Sequence, residues 1–244
     1  MVVPYRIQPF CNGGEETGTI QRARMTLKSS FIMKLPQKTD CLNTEFFQRK
    51  TDIVARELVG KILLRRLDHR WIGGIIVETE AYLGAGDEAS HSHRGLTAGN
   101  SQMFGSAGTI YVYPIHNHFC FNIVTEQKDI GSAVLIRAIE PIWGIDSMLV
   151  NRPVKSIRQL TRGPGCLCKA LAIHKQHNGH YLGKSKEFRI TQHTVQSPKI
   201  TTTPRIGISR DQELLLRFFW DGNWYVSGRV QDHQSRPLKP KDIE

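Results

Sequence analysis

Ile75-Ile76-Val77-Glu78-Thr79-Glu80-Ala81-Tyr82-Leu83 is the stretch of this 244-residue chain that decides its fold class. Its β-branched and aromatic residues read as a strand. Residues two apart on a strand share a face, so Glu78, Glu80 and Tyr82 project together while Val77, Thr79 and Ala81 point the other way. Two carboxylates on one face repel unless cations or a polar cleft compensate. The repulsion raises the pKa of one member, which suits a general acid or base. An exposed edge carrying solvated glutamates is the competing reading.

Outward from this strand, residues 61–67, 109–115, 119–125 and 133–139 are further short runs of Ile, Val and aromatics, separated by Gly, Asp and Ser clusters. Thr51 or Asp52 caps a helix through Leu58 with Ile53, Val54 and Leu58 on one face, and Gly60 suits its C-terminal stop. Gly163-Pro164-Gly165 opens a second helix in which Ala170 packs between Leu167 and Leu171. Phe218-Phe219-Trp220, the Asp221-Gly222 turn and Trp224-Tyr225-Val226 read as a hairpin. The expectation is a single compact α+β domain around a curved, mainly antiparallel sheet. It spans residues 43–230, with a flexible extension over 1–42 and a Pro-rich, charged tail over 231–244.

Charge narrows the partner. The chain carries 33 Lys and Arg against 22 Asp and Glu, a net charge of +11, which points to a polyanion. The excess is uneven: 8 basic against 4 acidic residues in 1–50, 8 against 11 in 51–150, and 17 against 7 in 151–244. Carboxylates near a polyanion are costly unless they act on it, so the acids of the middle segment invite individual inspection. No apolar stretch approaches the ~20 residues that span a bilayer, and the N-terminus lacks a signal peptide's apolar run. The five cysteines are an odd, sparse set suited to a reducing compartment. An intracellular protein is expected, without membrane attachment: nuclear in a eukaryote, cytoplasmic or nucleoid-associated in a bacterium.

Beyond the carboxylate strand, Leu83-Gly84-Ala85-Gly86 breaks the β-pattern, and Asp87, Glu88, His91, Ser92, His93 and Arg94 form a polar loop able to fold back over the same face. Tyr111 and Tyr113 share one strand face, and Asn122 and Arg137 interrupt otherwise apolar strands. A buried Arg137 needs a carboxylate, and a strand glutamate is its natural partner, either for catalysis or as a purely structural ion pair.

Taken in order, Val77-Glu78-Thr79-Glu80-Ala81-Tyr82-Leu83-Gly84, Asp87-Glu88-Ala89-Ser90-His91-Ser92, Gly108-Thr109-Ile110-Tyr111-Val112-Tyr113 and Phe119-Cys120-Phe121-Asn122 resemble the alkyladenine (3-methyladenine) DNA glycosylases. So do Val134-Leu135-Ile136-Arg137-Ala138-Ile139-Glu140-Pro141, Gly163-Pro164 with the helix after it, and Arg205-Ile206-Gly207-Ile208, together covering residues 51–230. The resemblance implies a monomeric base-excision-repair enzyme that inserts a β-hairpin into damaged double-stranded DNA and flips out alkylated or deaminated purines. It would hydrolyse the N-glycosidic bond without a cofactor or metal, as a monofunctional glycosylase. By the same resemblance, Glu80 activates water, held also by Arg137 and the Ile206 carbonyl. Tyr82, His91 and Tyr113 bracket the flipped base, and Asn122 screens out guanine.

One departure concerns the hairpin, where Pro114-Ile115-His116-Asn117-His118-Phe119 is one residue shorter than the family pattern and lacks its tyrosine wedge. His116 and Ile115 are the candidates for that place. Two rival readings remain. A non-catalytic DNA-binding protein on the same scaffold has the same charge but no use for a carboxylate aimed at DNA. A metal-dependent hydrolase would use His91 and His93, His116 and His118, or His174, His177 and His180, but no carboxylate or cysteine completes a recognised site.

Overall fold

Asn43 accepts a hydrogen bond from the Phe46 N–H at 3.1 Å and so caps the short helix α1, Thr44–Phe47. The computed structural model describes residues 34–192, 198–229 and 233. Helix α2, Thr51–Leu58, buries Thr51, Val54, Ala55 and Leu58, while Ile53, expected on that face, is 41% exposed. At 3.6 residues per turn Ile53 stands about 140° from Leu58, whereas Val54 is about 40° from it. Two further α-helices follow, α3 (Ile145–Asn151) and α4 (Pro164–Ala170), the latter with Pro164 in its first turn.

The strands are β1 (Ile62–Leu67), β2 (Arg70–Tyr82), β3 (Ile110–Ile115), β4 (His118–Thr125), β5 (Ser132–Trp143), β6 (Phe188–Thr191), β7 (Ile200–Thr203) and β8 (Arg217–Trp220). They form one sheet in the order β3-β4-β5-β2-β1-β6, with β8 added to β2 and β7 to β8, and every described pairing is antiparallel. This is the α+β architecture expected. One long edge of β2 serves two partners: residues Arg70–Ile75 pair with β1, and Glu78–Glu80 pair with β8.

The switch coincides with register slips against β5, where Ile76↔Ile139 is followed by Glu78↔Ala138 and then Thr79↔Ile136. Val77 and Arg137 are therefore the extra residues of two bulges, and bulges bend the strand and re-aim side chains. Strict alternation fails as a result. Val77, expected opposite Glu78, packs with Ala138, Phe219, Tyr225 and Val226, while Ile72, Ile76, Ile136 and Ile139 join the main core under α2 and α4. The second face of β2 is thus also covered, and all of its residues from Ile72 to Ala81 are buried.

The expected C-terminal hairpin is absent. β8 pairs instead with β7 and β2, and residues 224–226 are not a strand. The carbonyls of Trp224 and Val226 accept from Arg158 Nε at 2.9 Å and Arg162 Nε at 2.8 Å, and the Ser227 N–H is taken by Glu78, so this segment spends its backbone on side chains. At the other end, ordered pairing begins before the expected boundary at Asn43: Cys41 bridges to Thr191 and the Leu42 N–H donates to the Ile190 carbonyl at 2.8 Å. Most of the expected extension, and the tail except His233, lie outside the described residues. No helix among the described residues is long and apolar enough to cross a membrane.

Candidate active site

The C-terminal half of β2 carries the carboxylates to a point where β5, β8, the β3–β4 hairpin, the loop after β2 and residues 205–208 converge. Glu78 and Glu80 are both fully buried, and Arg137 bridges them: its Nε donates to Glu78 Oε1 at 3.0 Å and its Nη1 to Glu80 Oε2 at 3.0 Å. The bulge at Arg137 turns its side chain toward the pair, as the run of apolar neighbours alone would not reveal.

Glu78 has a second cation. Arg217 Nε donates to Oε1 at 2.7 Å, and Ser227 adds its N–H to Oε2 at 2.7 Å and its hydroxyl to Oε1 at 2.9 Å. Burial would raise its pKa, but Arg137 and Arg217, with the hydrogen bonds from Arg217 and Ser227, outweigh burial and hold the carboxyl at about 2. Glu78 is thus an anchor that is ionised near pH 7. Glu80 has a different surrounding: Oε1 accepts the Ile206 N–H at 2.8 Å, and Oε2 accepts the Tyr82 hydroxyl at 3.0 Å besides Arg137. A carboxylate offers about four lone-pair sites. Three are filled here, and no described residue takes the fourth.

A cavity of about 710 Å³ opens over this cluster, within the range of small-ligand pockets, and Tyr82, His91, Tyr113, Asn122, Arg137 and Ile206 all line it. Glu80 lies one layer beneath, held by three of those lining residues. His91 Nδ1 meets the Tyr111 hydroxyl at 2.9 Å, and its ring stands 4.3 Å from Tyr113 at 65°. Asn122 Nδ2 donates to the Tyr111 carbonyl at 3.0 Å and the Cys120 carbonyl at 3.3 Å, which fixes the amide across the hairpin. Burial lowers the pKa of His91 and raises those of Tyr82, Tyr113 and Cys120, so the aromatic walls are uncharged near pH 7.

The expected participants therefore converge, and the amide N–H of Ile206 is the group that addresses Glu80. The two wedge candidates separate: Ile115 lines the cavity and is 44% exposed, whereas His116 sits exposed in the two-residue turn at φ +43° without lining it. Of the three histidines weighed as a metal set, His177 is otherwise engaged, since its Nε2 meets Arg65 Nη2 at 3.0 Å and its Nδ1 faces the His174 main chain.

Sequence reasoning missed Arg217, Ser227 and the pair Asp87–Arg205. Arg217 opens an apolar strand just as Arg137 interrupts one, and that signal was readable. Ser227 carried none. Arg205 binds Asp87 through two contacts of 2.7 Å, with both side chains fully buried, and also donates to the Ala81 carbonyl at 3.0 Å. Asp87 in turn accepts the N–H groups of Leu83 at 2.9 Å and Ala89 at 3.1 Å, so it ties the His91 loop to the end of β2.

Residues 45–224 match the family described as "Methylpurine-DNA glycosylase (MPG)". A protein of Rhodopirellula baltica named "Putative 3-methyladenine DNA glycosylase" is 49% identical over 207 residues, covering 82% of this chain and 88% of that one. Proteins of the same name from Prosthecochloris aestuarii and Methanoculleus marisnigri are 43% and 42% identical, covering 80% and 77% of this chain and 92% and 99% of theirs. With the match extending from α1 through β8 and across every segment that builds the cavity, the chain belongs to the methylpurine-DNA glycosylase family.

Proposed function

We propose that this protein is a monofunctional DNA glycosylase that flips a damaged purine out of duplex DNA and hydrolyses its N-glycosidic bond with a water activated by Glu80. The observation that carries the reading is the buried Glu80, with one acceptor site free, beneath a cavity walled by Tyr82, His91 and Tyr113. Breaking the bond develops oxocarbenium character on the sugar, which a carboxylate stabilises while it takes a proton from the incoming water. Arg137 orients Glu80, and the Ile206 backbone fixes the other carboxylate oxygen. The aromatic walls accept the flipped base, and Asn122, which lines the same cavity, tests its edge. No lysine lines the cavity among the described residues, which favours hydrolysis over Schiff-base chemistry.

The test is release of hypoxanthine or 1,N6-ethenoadenine from duplex DNA in the presence of a chelator, followed by alkali cleavage of the abasic site. Glu80→Gln is expected to abolish release and keep lesion binding. Release at the wild-type rate refutes the role of Glu80, and a wild-type protein inert on these and on alkylated DNA refutes the activity.

A further inference from the structure

Within the glycosylase reading, the neighbourhood of Tyr82 bears on which lesions the site prefers. The Arg205 guanidinium lies over the Tyr82 ring, 4.7 Å from its centroid. Tyr82 lines the 710 Å³ cavity and Arg205 does not; Arg205 lines a second cavity that shares residues 206–208 with the first. The ring is thus in contact with both the guanidinium and the space offered to a base. Arg205 is pinned there by Asp87 and the Ala81 carbonyl, without freedom to swing away.

An aromatic face attracts a cation through its quadrupole, and the attraction is largest when the cation is desolvated. A guanidinium held on one face uses that attraction and places a positive charge behind the ring. A cationic base arriving at the other face then meets a platform whose affinity for charge is already spent, and an uncharged base stacks without that penalty. The other ionised groups do not restore a pull on cations. Around Tyr82, the buried carboxylates Glu78, Glu80 and Asp87 are matched by the guanidiniums Arg137, Arg205 and Arg217. In the lining of the cavity itself, Arg210 pairs with Glu88 at 3.2 Å, and Arg94 adds a cation beside Arg137, which the buried carboxylates already match.

The geometry points to Arg205 as a specificity-determining residue that, clamped by Asp87 behind Tyr82, biases the site toward uncharged damaged purines, deaminated or etheno-bridged, over cationic N-alkylated ones. The charge flow agrees. When the glycosidic bond of an uncharged purine breaks, the bonding pair leaves with the base, the sugar takes the positive charge, and water adds to the sugar while its proton goes to Glu80. The departing base gains negative charge, which the arginines of the lining favour. A cationic purine departs neutral and gains nothing from them.

Single-turnover release of 7-methylguanine, a cationic lesion in DNA, and of hypoxanthine, an uncharged one, is compared for the wild type and three variants. Arg205→Gln with Asp87→Asn removes both charges of the buried pair together. The ratio of 7-methylguanine to hypoxanthine rates is expected to rise about three- to tenfold over wild type in this variant. It is expected to stay at the wild-type value in Arg205→Lys, which keeps the charge. A merely structural role lowers both rates and leaves the ratio alone, and an unchanged ratio in a folded Arg205→Gln/Asp87→Asn protein overturns the inference. Should that protein fail to fold, Tyr82→Leu decides. Equal losses on the two lesions support Arg205 offsetting the ring, and a loss confined to 7-methylguanine overturns it. A wild type that releases neither base would instead sink the underlying glycosylase reading.

Discussion

Replacing Glu78 by Gln keeps the shape of the side chain and removes the one charge on which Arg137 and Arg217 converge. The carboxyl is held at about 2 against an ordinary value of 4.5, which corresponds to about 3 kcal/mol of stability. Since the folded-state pKa is the lower one, this contribution is complete above about pH 5 and is lost as pH falls through 4.5 toward 2. Removing one partner of a buried ion pair costs about 3–5 kcal/mol by general experience, in agreement. Glu78→Gln is therefore expected to lose about 3 kcal/mol at pH 7, seen as a lower urea midpoint at unchanged slope or a Tm lower by about 6–12 °C. The gap between wild type and variant should shrink to less than half at pH 3. A loss under about 1 kcal/mol at pH 7, or a gap as wide at pH 3 as at pH 7, would refute the assignment of Glu78 as the ionised anchor.

Two further expectations concern the hairpin. A Cβ on Gly165 would lie 2.9 Å from both Cβ and Cγ of His118, so Gly165→Ala should destabilise by about 1–3 kcal/mol, and His118→Ala on top of it, which removes the Cγ contact and keeps the Cβ one, should restore part of the loss in a double-mutant cycle. An additive outcome would show that the two do not meet. Ile115→Ala is expected to slow base release from duplex DNA more than His116→Ala does, and to have less effect on single-stranded substrate, because Ile115 alone of the two lines the cavity. Equal rates on duplex DNA for Ile115→Ala and wild type would remove Ile115 as the wedge.

Most strands and two helices were readable because their signals are local: β-branched runs bounded by turn residues, a helix start at Thr51, and Pro164 at the entry of α4. Glu78, Glu80 and Tyr82 were readable as one face because a strand alternates, and Arg137 stood out as a charge in an apolar run. The misreadings came where partners lie far along the chain. Ile53 looked buried until the stripe of α2 was set by what it packs against. The segment 224–226 looked like a strand, but Ser227 satisfies Glu78, 149 residues earlier, and two arginines take its neighbours' carbonyls.

By itself the sequence determined the secondary-structure classes, the basic character that calls for a polyanion, and a short roster of chemically charged positions, since each depends on side-chain type and near spacing. Only the tertiary structure decided how those positions differ. The bulges at Val77 and Arg137 exist through pairing with a strand some 60 residues away, and they turn Arg137 onto both carboxylates at once. Arg217 and Ser227, brought in by β8 and the segment after it, make Glu78 a fixed anion, while the Ile206 amide and the Tyr82 hydroxyl leave Glu80 one free acceptor. Two glutamates alike in sequence thus receive different surroundings, because burial and hydrogen-bond partners are properties of the folded arrangement and not of the residues that enter it.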